Sequence, residues 1–214
     1  MPSVAVTGSF DDLRSRQVRF LEQAAQRGDL HVLLWSDAVV QTRTGQAPKF
    51  PLDERRYFLE ALRYVAKVSV VINFAQEEIL PHLAGGQTAM WLVDQAGATM
   101  ALKQYCAASG LTYQVITDQE TASFPQPKPL ISPPPGGTGG ATKRKKVIIT
   151  GCYDWFHTGH VRFFEEVSEY GDVYAVVGHD ANIALLKGAG HPQFSQDERV
   201  YMVGSIRYVT QALI

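Results

Sequence analysis

The sequence predicts an α/β protein built from two doubly wound parallel-sheet domains in tandem, the second cut short. Three observations carry this. Apolar β-branched runs alternate with stretches of helical spacing, the first part of the chain recurs in the last, and a proline- and glycine-rich stretch separates the copies. In order, Val4–Thr7 reads as a strand and Asp11–Arg27 as a helix, with Val18, Leu21 and Ala25 on one face. Leu30–Trp35 is apolar again, and Leu52–Tyr64 is amphipathic. Val68–Ile72, Met90–Val93 and Tyr113–Ile116 read as further strands, separated by helical stretches at Gln76–Leu83 and Thr99–Ala108. Strands alternating with helices imply a parallel sheet covered on both faces, whose ligands bind beyond the carboxyl ends of the strands.

The repeat is legible residue by residue. Val4-Ala5-Val6-Thr7-Gly8-Ser9-Phe10-Asp11 matches Val147-Ile148-Ile149-Thr150-Gly151-Cys152-Tyr153-Asp154. At the same offset Val18-Arg19-Phe20 meets Val161-Arg162-Phe163, and Gly28-Asp29 meets Gly171-Asp172. After a one-residue gap Asp53-Glu54-Arg55 pairs with Asp197-Glu198-Arg199, and Arg63-Tyr64-Val65 with Arg207-Tyr208-Val209. Pro125–Lys146 holds six of the chain's 11 prolines together with Gly136, Gly137, Gly139 and Gly140. It reads as a semi-rigid spacer. The expected domains are therefore residues 1–120, a linker at 121–146, and residues 147–214. The last reads as two strands and two helices, the N-terminal half of a domain.

Composition excludes several classes. Lys and Arg total 20 against 21 Asp and Glu, a formal net charge of −1. That balance gives no electrostatic reason to expect nucleic acid as partner. The tetrad Lys143-Arg144-Lys145-Lys146 reads as a solvated linker end. Two cysteines, Cys106 and Cys152, are too few for a disulfide framework and read as free thiols. Neither a signal peptide nor an apolar run long enough to span a bilayer is visible, so a cytoplasmic protein is the expectation.

The second copy carries the chemistry: Thr150-Gly151-Cys152-Tyr153-Asp154-Trp155-Phe156-His157-Thr158-Gly159-His160, after a predicted strand and opening a helix. These residues resemble the nucleotidyltransferases with an H-x-G-H signature, especially the glycerol-3-phosphate and ethanolamine-phosphate cytidylyltransferases and the related sugar-phosphate enzymes. The resemblance covers 147–214 well and residues 4–75 in degenerate form. It implies tandem Rossmann-like nucleotidyltransferase domains and attack by a substrate phosphate oxygen on the α-phosphorus of CTP or ATP, expelling pyrophosphate. The acceptor is then a small phosphorylated alcohol or sugar, with CMP favoured over AMP on the resemblance alone. It implies that His157 and His160 contact phosphates at the transition state, that Lys187 neutralises charge, and that Mg²⁺ rides on the triphosphate. Thr150, Gly151, Cys152, Tyr153, Asp154, Gly159 and Arg199 would line the nucleotide, and Asp180 the acceptor pocket. Independently of resemblance, histidines three apart on a first helical turn share a face, and a helix N-terminus attracts phosphate.

Plainer readings stand beside these. Asp154, like Asp11, reads better as a helix N-cap. Arg199 has a counterpart, Arg55, in the copy without histidines, so a structural role weighs evenly with nucleotide contact. Lys187 before Gly188 could be an ordinary loop lysine. His179, Asp180 and His191 do not make a metal-ligand spacing, and no protein metal site is expected. The first copy has Arg14, Ser15, Arg16 and Gln17 opposite His157, Thr158, Gly159 and His160, so it reads as inactive. The late R-T-x-G-I-S-[ST]-[ST] element of such enzymes is absent from both copies. If Ile214 is the natural end, a non-catalytic nucleotide- or phosphate-binding or regulatory module is the alternative, and self-association as a homodimer stays open.

Overall fold

The computed structural model describes residues 3–73, 90–130 and 144–214. They divide into two units, Met1–Glu60 with Tyr64–Ser123, and Ala61–Arg63 with Phe124–Ile214. Among the described residues no helix is long and apolar enough to cross a membrane.

The first unit runs β1 (Ser3–Gly8), α1 (Ser15–Ala25), β2 (Asp29–Trp35), α2 (Asp37–Thr44), α3 (Leu52–Ala61), β3 (Lys67–Val71), β4 (Met90–Asp94), α4 (Met100–Ala108), β5 (Thr112–Ile116) and α5 (Asp118–Thr121). All strand pairs are parallel, in the order β3-β2-β1-β4-β5. The central strand explains its own sequence: Val4, Ala5 and Val6 are buried in succession, as a parallel strand covered on both faces requires. On one face Ala5, Leu33, Val71 and Trp91 pack with Val39 of α2 and Leu102 and Cys106 of α4. The expected helix at Gln76–Leu83 lies outside the described residues. Helix α2 escaped the sequence reading because it buries only Val39 and Val40, too few for an apolar stripe. Its ends are nonetheless capped, by the Ser36 hydroxyl accepting from the Val39 amide and by Gly45 at φ 76°.

The second unit runs β6 (Lys146–Gly151), α6 (Thr158–Ser168), β7 (Asp172–Val177), α7 (Asp180–Lys187), α8 (Gln196–Gly204) and β8 (Val209–Leu213). Its three strands are parallel, in the order β6-β7-β8. This corrects the expectation of two strands and two helices from residue 147. Strand β8 follows the Arg207-Tyr208-Val209 element as β3 follows Arg63-Tyr64-Val65, and α7 is a short helix burying only Ile183. Ala61–Arg63 join this unit through backbone bonds, Arg63 N–H to the Ser205 carbonyl and Arg207 N–H to that of Ala61. The Arg63 guanidinium donates to the carbonyls of Lys128, Ile206 and Val209. Those bonds give the recurring arginine a structural role.

Part of the expected spacer is not free. Phe124 packs on Tyr201 with ring centroids 5.7 Å apart, and Leu130 N–H donates to the Thr210 carbonyl at 2.9 Å. Pro127 lies so close to Gly204 that a β-carbon there would sit 2.6 Å from its Cγ. Prolines that bar a regular ladder still offer flat apolar surface, which the sequence reading undervalued. Nor is Arg144 merely solvated. It donates to the Ser168 carbonyl at 2.7 Å and faces the Asp172 carboxylate.

Candidate active site

Strand β6 delivers the chain to Gly151 at the carboxyl end of its sheet, and α6 begins six residues later with His157 as N-cap. Between them Tyr153 sits at φ 53°, a left-handed conformation that costs a residue with a β-carbon about 1 kcal/mol. Phe10 occupies the matching place in the first unit at φ 44°. The bend turns each ring back over the preceding glycine. A β-carbon on Gly151 would lie 2.6 Å from the Tyr153 ring. Gly151 is therefore needed for this aromatic packing, whatever approaches from outside. The Tyr153 hydroxyl is buried without a partner among the described residues, and burial pushes its pKa up to about 12.

The two histidines meet in this frame. The His157 ring folds over the first turn of α6 and its Nδ1 accepts the Gly159 amide at 3.0 Å. A β-carbon on Gly159 would fall 2.8 Å from His157 Cε1, so the glycine in the H-x-G-H run is what admits the ring. His160 Nδ1 faces the His157 amide at 3.4 Å, a long bond. The ring centroids are 4.2 Å apart. With both Nδ1 atoms accepting, the neutral rings carry their protons on Nε2, and those N–H groups are the donors left for a ligand. Phe156 stacks on His160 at 5.4 Å, 14° from parallel, and Tyr153 meets it edge-on at 5.5 Å. Burial among these rings, and then the neighbouring His157, lower the His160 pKa to about 4. Phe156 went unremarked in the sequence reading. Its signal was an aromatic just before the motif, where the first copy has Leu13.

Asp154 is not the helix cap it was expected to be, because His157 takes that position. Its carboxylate accepts the amides of Gln193 at 2.8 Å and Phe194 at 3.0 Å and faces His191 Nδ1 at 3.3 Å. Burial would raise its pKa, but those two amides, His191 and the Arg199 charge hold it below the usual carboxylate range. Asp11 does the same in the first unit, accepting the Lys49 and Phe50 amides.

Arg199, 1% exposed, ties three loops together. It donates to the carbonyls of Phe194 at 3.0 Å, Cys152 at 2.6 Å and Gly178 at 2.7 Å, and to Asp180 Oδ1 at 2.6 Å. Arg55 repeats the device on Phe50, Ser9, Trp35 and Asp37. Asp180 is thereby half of an ion pair at the start of α7, with its amide donating to Gln196 Oε1. Thr150 and Cys152 flank Gly151 at the end of β6. Lys187 stands apart, exposed at the far end of α7 and about 10 Å along the helix axis from Asp180. Thus Gly151, Tyr153, His157, Gly159 and His160 come together, Asp154, Arg199 and Asp180 form the scaffold beneath them, and Lys187 joins neither group. No three His, Cys, Asp or Glu side chains among the described residues group as a metal-ligand set.

Comparison with known proteins points to the same segment. Residues 148–214 match the family model described as cytidylyltransferase-like. The bifunctional protein HldE of Aliarcobacter butzleri (strain RM4018) is 39% identical over 72 residues, covering 33% of this chain and 15% of that protein. The bifunctional protein HldE of Campylobacter concisus (strain 13826) is 36% identical over 73 residues, covering 34% and 16%. The chain thus spans about a sixth of the length of these curated relatives. A crystal structure of the lipopolysaccharide core biosynthesis protein from Thermoplasma volcanium GSS1 aligns with 55% of this chain and 95% of its own, at 18% identity and TM-score 0.43. The likeness of this chain to the cytidylyltransferase-like family thus lies in residues 148–214.

Proposed function

We propose that the second unit transfers a nucleotidyl group, CMP in preference to AMP, from a nucleoside triphosphate to a small phosphorylated alcohol or sugar. In the reaction a phosphate oxygen of the acceptor bonds to the α-phosphorus, the bond to the β-phosphate oxygen breaks, and pyrophosphate leaves. The observation that carries this is the histidine pair at the head of α6, with both Nδ1 atoms turned to backbone amides and both Nε2–H groups left for phosphate oxygens. Such a transfer needs positioning and neutralisation of charge rather than a covalent nucleophile. His157 and His160 supply neutral donors at a helix N-terminus, where the helix dipole adds to them. Arg199 acts as a positioning residue, since its donors are spent on Cys152, Gly178, Phe194 and Asp180. Lys187 reaches the triphosphate only if the end of α7 moves toward it. Mg²⁺ enters as the counter-ion of the triphosphate substrate. The first unit, lacking both histidines, performs no transfer.

The test is pyrophosphate release from Mg-CTP or Mg-ATP with a panel of phosphorylated alcohols and sugars. Turnover that falls at least a hundredfold in His157→Ala and in His160→Ala supports the reading. Nucleotide binding without turnover across the panel would instead favour a phosphate-binding module.

A further inference from the structure

Arg199 draws three loops of the second unit together by bonding the carbonyls of Cys152, Gly178 and Phe194. The loop after β6 leads to His157 and His160. The other two carry one histidine each, His179 next to Gly178 and His191 three residues before Phe194. Arg55 ties the equivalent loops of the first unit at Ser9, Trp35 and Phe50. There the positions matching His157, His160, His179 and His191 hold Arg14, Gln17, Ser36 and Ala47. The scaffold residues are the same in both units: Asp11 and Asp154, Asp37 and Asp180, Arg55 and Arg199. His179 and His191 therefore sort with the histidine pair of α6 and not with the scaffold. The Gly178 amide also donates to the Gly151 carbonyl at 2.9 Å, which sets the start of α7 beside the end of β6.

Each of these two rings has one nitrogen committed and one left. His179 Nδ1 accepts the Ala181 amide at 3.1 Å, so its neutral ring carries the proton on Nε2, and the residue is exposed. His191 Nδ1 faces the Asp154 carboxylate at 3.3 Å. A carboxylate only accepts, so the proton there sits on Nδ1 and Nε2 is the nitrogen left over. The His191 side chain is 40% exposed and open to a ligand. Its Nε2 can bond a phosphate oxygen with the proton on either atom, because a phosphate monoester loses its second proton near pH 6, about where imidazole titrates. Residues 147–161 contain no Lys or Arg, and among residues 178–196 Lys187 is the single one, at the far end of α7. Imidazoles are thus the groups these loops offer to phosphate. The transfer proposed above must hold two phosphate-bearing substrates at once, and the α6 pair serves the triphosphate. We infer that His179 and His191 bind the phosphate group of the acceptor. The inference rests on that proposed transfer and gives its second substrate a place.

The first unit supplies replacements that the frame tolerates, His179→Ser and His191→Ala, since Ser36 caps α2 and Ala47 stands at the place of His191. In the full-length protein labelled with ¹⁵N-histidine, these variants also assign the two imidazole signals. Inorganic phosphate, the group all such acceptors share, should shift the His179 and His191 resonances along one saturable curve, with and without Mg-CTP. Either variant should weaken that curve about tenfold. Mg-CTP alone should shift His157 and His160. In turnover, each variant should raise KM for the phosphorylated acceptor about tenfold and leave KM for CTP unchanged. His179 and His191 resonances unmoved by tens of millimolar phosphate overturn the inference, even where Mg-CTP moves His157 and His160. So does a variant that raises KM for CTP and not for the acceptor. A response to phosphate at His179 and His191 with none to Mg-CTP at His157 and His160 would refute the transfer while keeping the two residues as phosphate ligands.

Discussion

Arg199→Ala tests whether the buried arginine is scaffold. The side chain makes four charge-assisted hydrogen bonds, three of them to backbone carbonyls of separate loops. Asp180 is 40% exposed and can turn to water, so its share is small. The carbonyls of Phe194, Cys152 and Gly178 lose their donor beneath a packed surface, at about 1–1.5 kcal/mol each. The expected loss is then about 3–5 kcal/mol, in the range for breaking buried polar networks. Because the chain has two units, a single melting temperature would blend two events. Hydrogen exchange read by mass spectrometry resolves them. Peptides covering β7, α8 and β8 should lose protection by that amount, and Arg55→Ala should do the same to β1 and β2. A loss under 1 kcal/mol at residue 199, with nucleotide turnover abolished, would refute the scaffold role and make Arg199 a ligand contact.

Three further expectations follow from the same geometry. Gly159→Ala puts a β-carbon 2.8 Å from His157 Cε1 and should displace that ring, lowering pyrophosphate release about a hundredfold while α6 keeps its circular dichroism. Tyr153→Phe removes a buried hydroxyl that has no partner among the described residues, so hydrogen exchange over β6 and α6 should show no loss of protection, and a gain of up to about 1 kcal/mol; a loss would mean the hydroxyl has a partner after all. His160, with its pKa lowered to about 4 from 6.5, stays neutral in the fold while the unfolded chain takes up a proton. Its contribution is therefore full above pH 6.5 and is lost as pH falls toward 4, by about 1 kcal/mol once solvent around a half-buried ring is discounted. His160→Gln should abolish that dependence in urea titrations at pH 7 and 5.

What the sequence made legible was the frame, because parallel strands buried on both faces are nearly pure apolar runs and because the frame occurs twice. Val4–Thr7 and Leu30–Trp35 could be read from composition alone. Short elements such as α2 and α7 could not, since their ends are set by Ser36, Gly45 and His179 rather than by an apolar stripe. The histidine pair was legible as a motif, but its supports were not. Nothing in a one-dimensional pattern reveals that Tyr153 takes a positive φ, that Gly151 exists for its ring, or that Asp154 serves the loop before α8 instead of capping α6.

The two copies separate these roles more sharply than either does alone. Phe10 and Tyr153 share a left-handed bend, Asp11 and Asp154 hold equivalent loop amides, and Arg55 and Arg199 bind the same four kinds of partner. Gln17 stands where His160 does and accepts the Arg14 amide at 2.7 Å, so even the capping function of the histidine survives its loss. What the first unit lacks is the triplet proposed above to meet phosphate: His157, Gly159 and His160. The frame kept without that triplet still offers a cavity at the carboxyl ends of its strands, lined among others by Asp94, Asp118, Trp35 and Trp91. Restoring the triplet by Arg14→His, Arg16→Gly and Gln17→His should therefore leave the unit folded, since the Phe10 bend and the Asp11 and Arg55 contacts are untouched. It should not create turnover, because Asp94 and Asp118 still repel the triphosphate. Pyrophosphate release from that triple variant in a His157→Ala, His160→Ala background would show that charge in the cavity does not decide which ligand it takes.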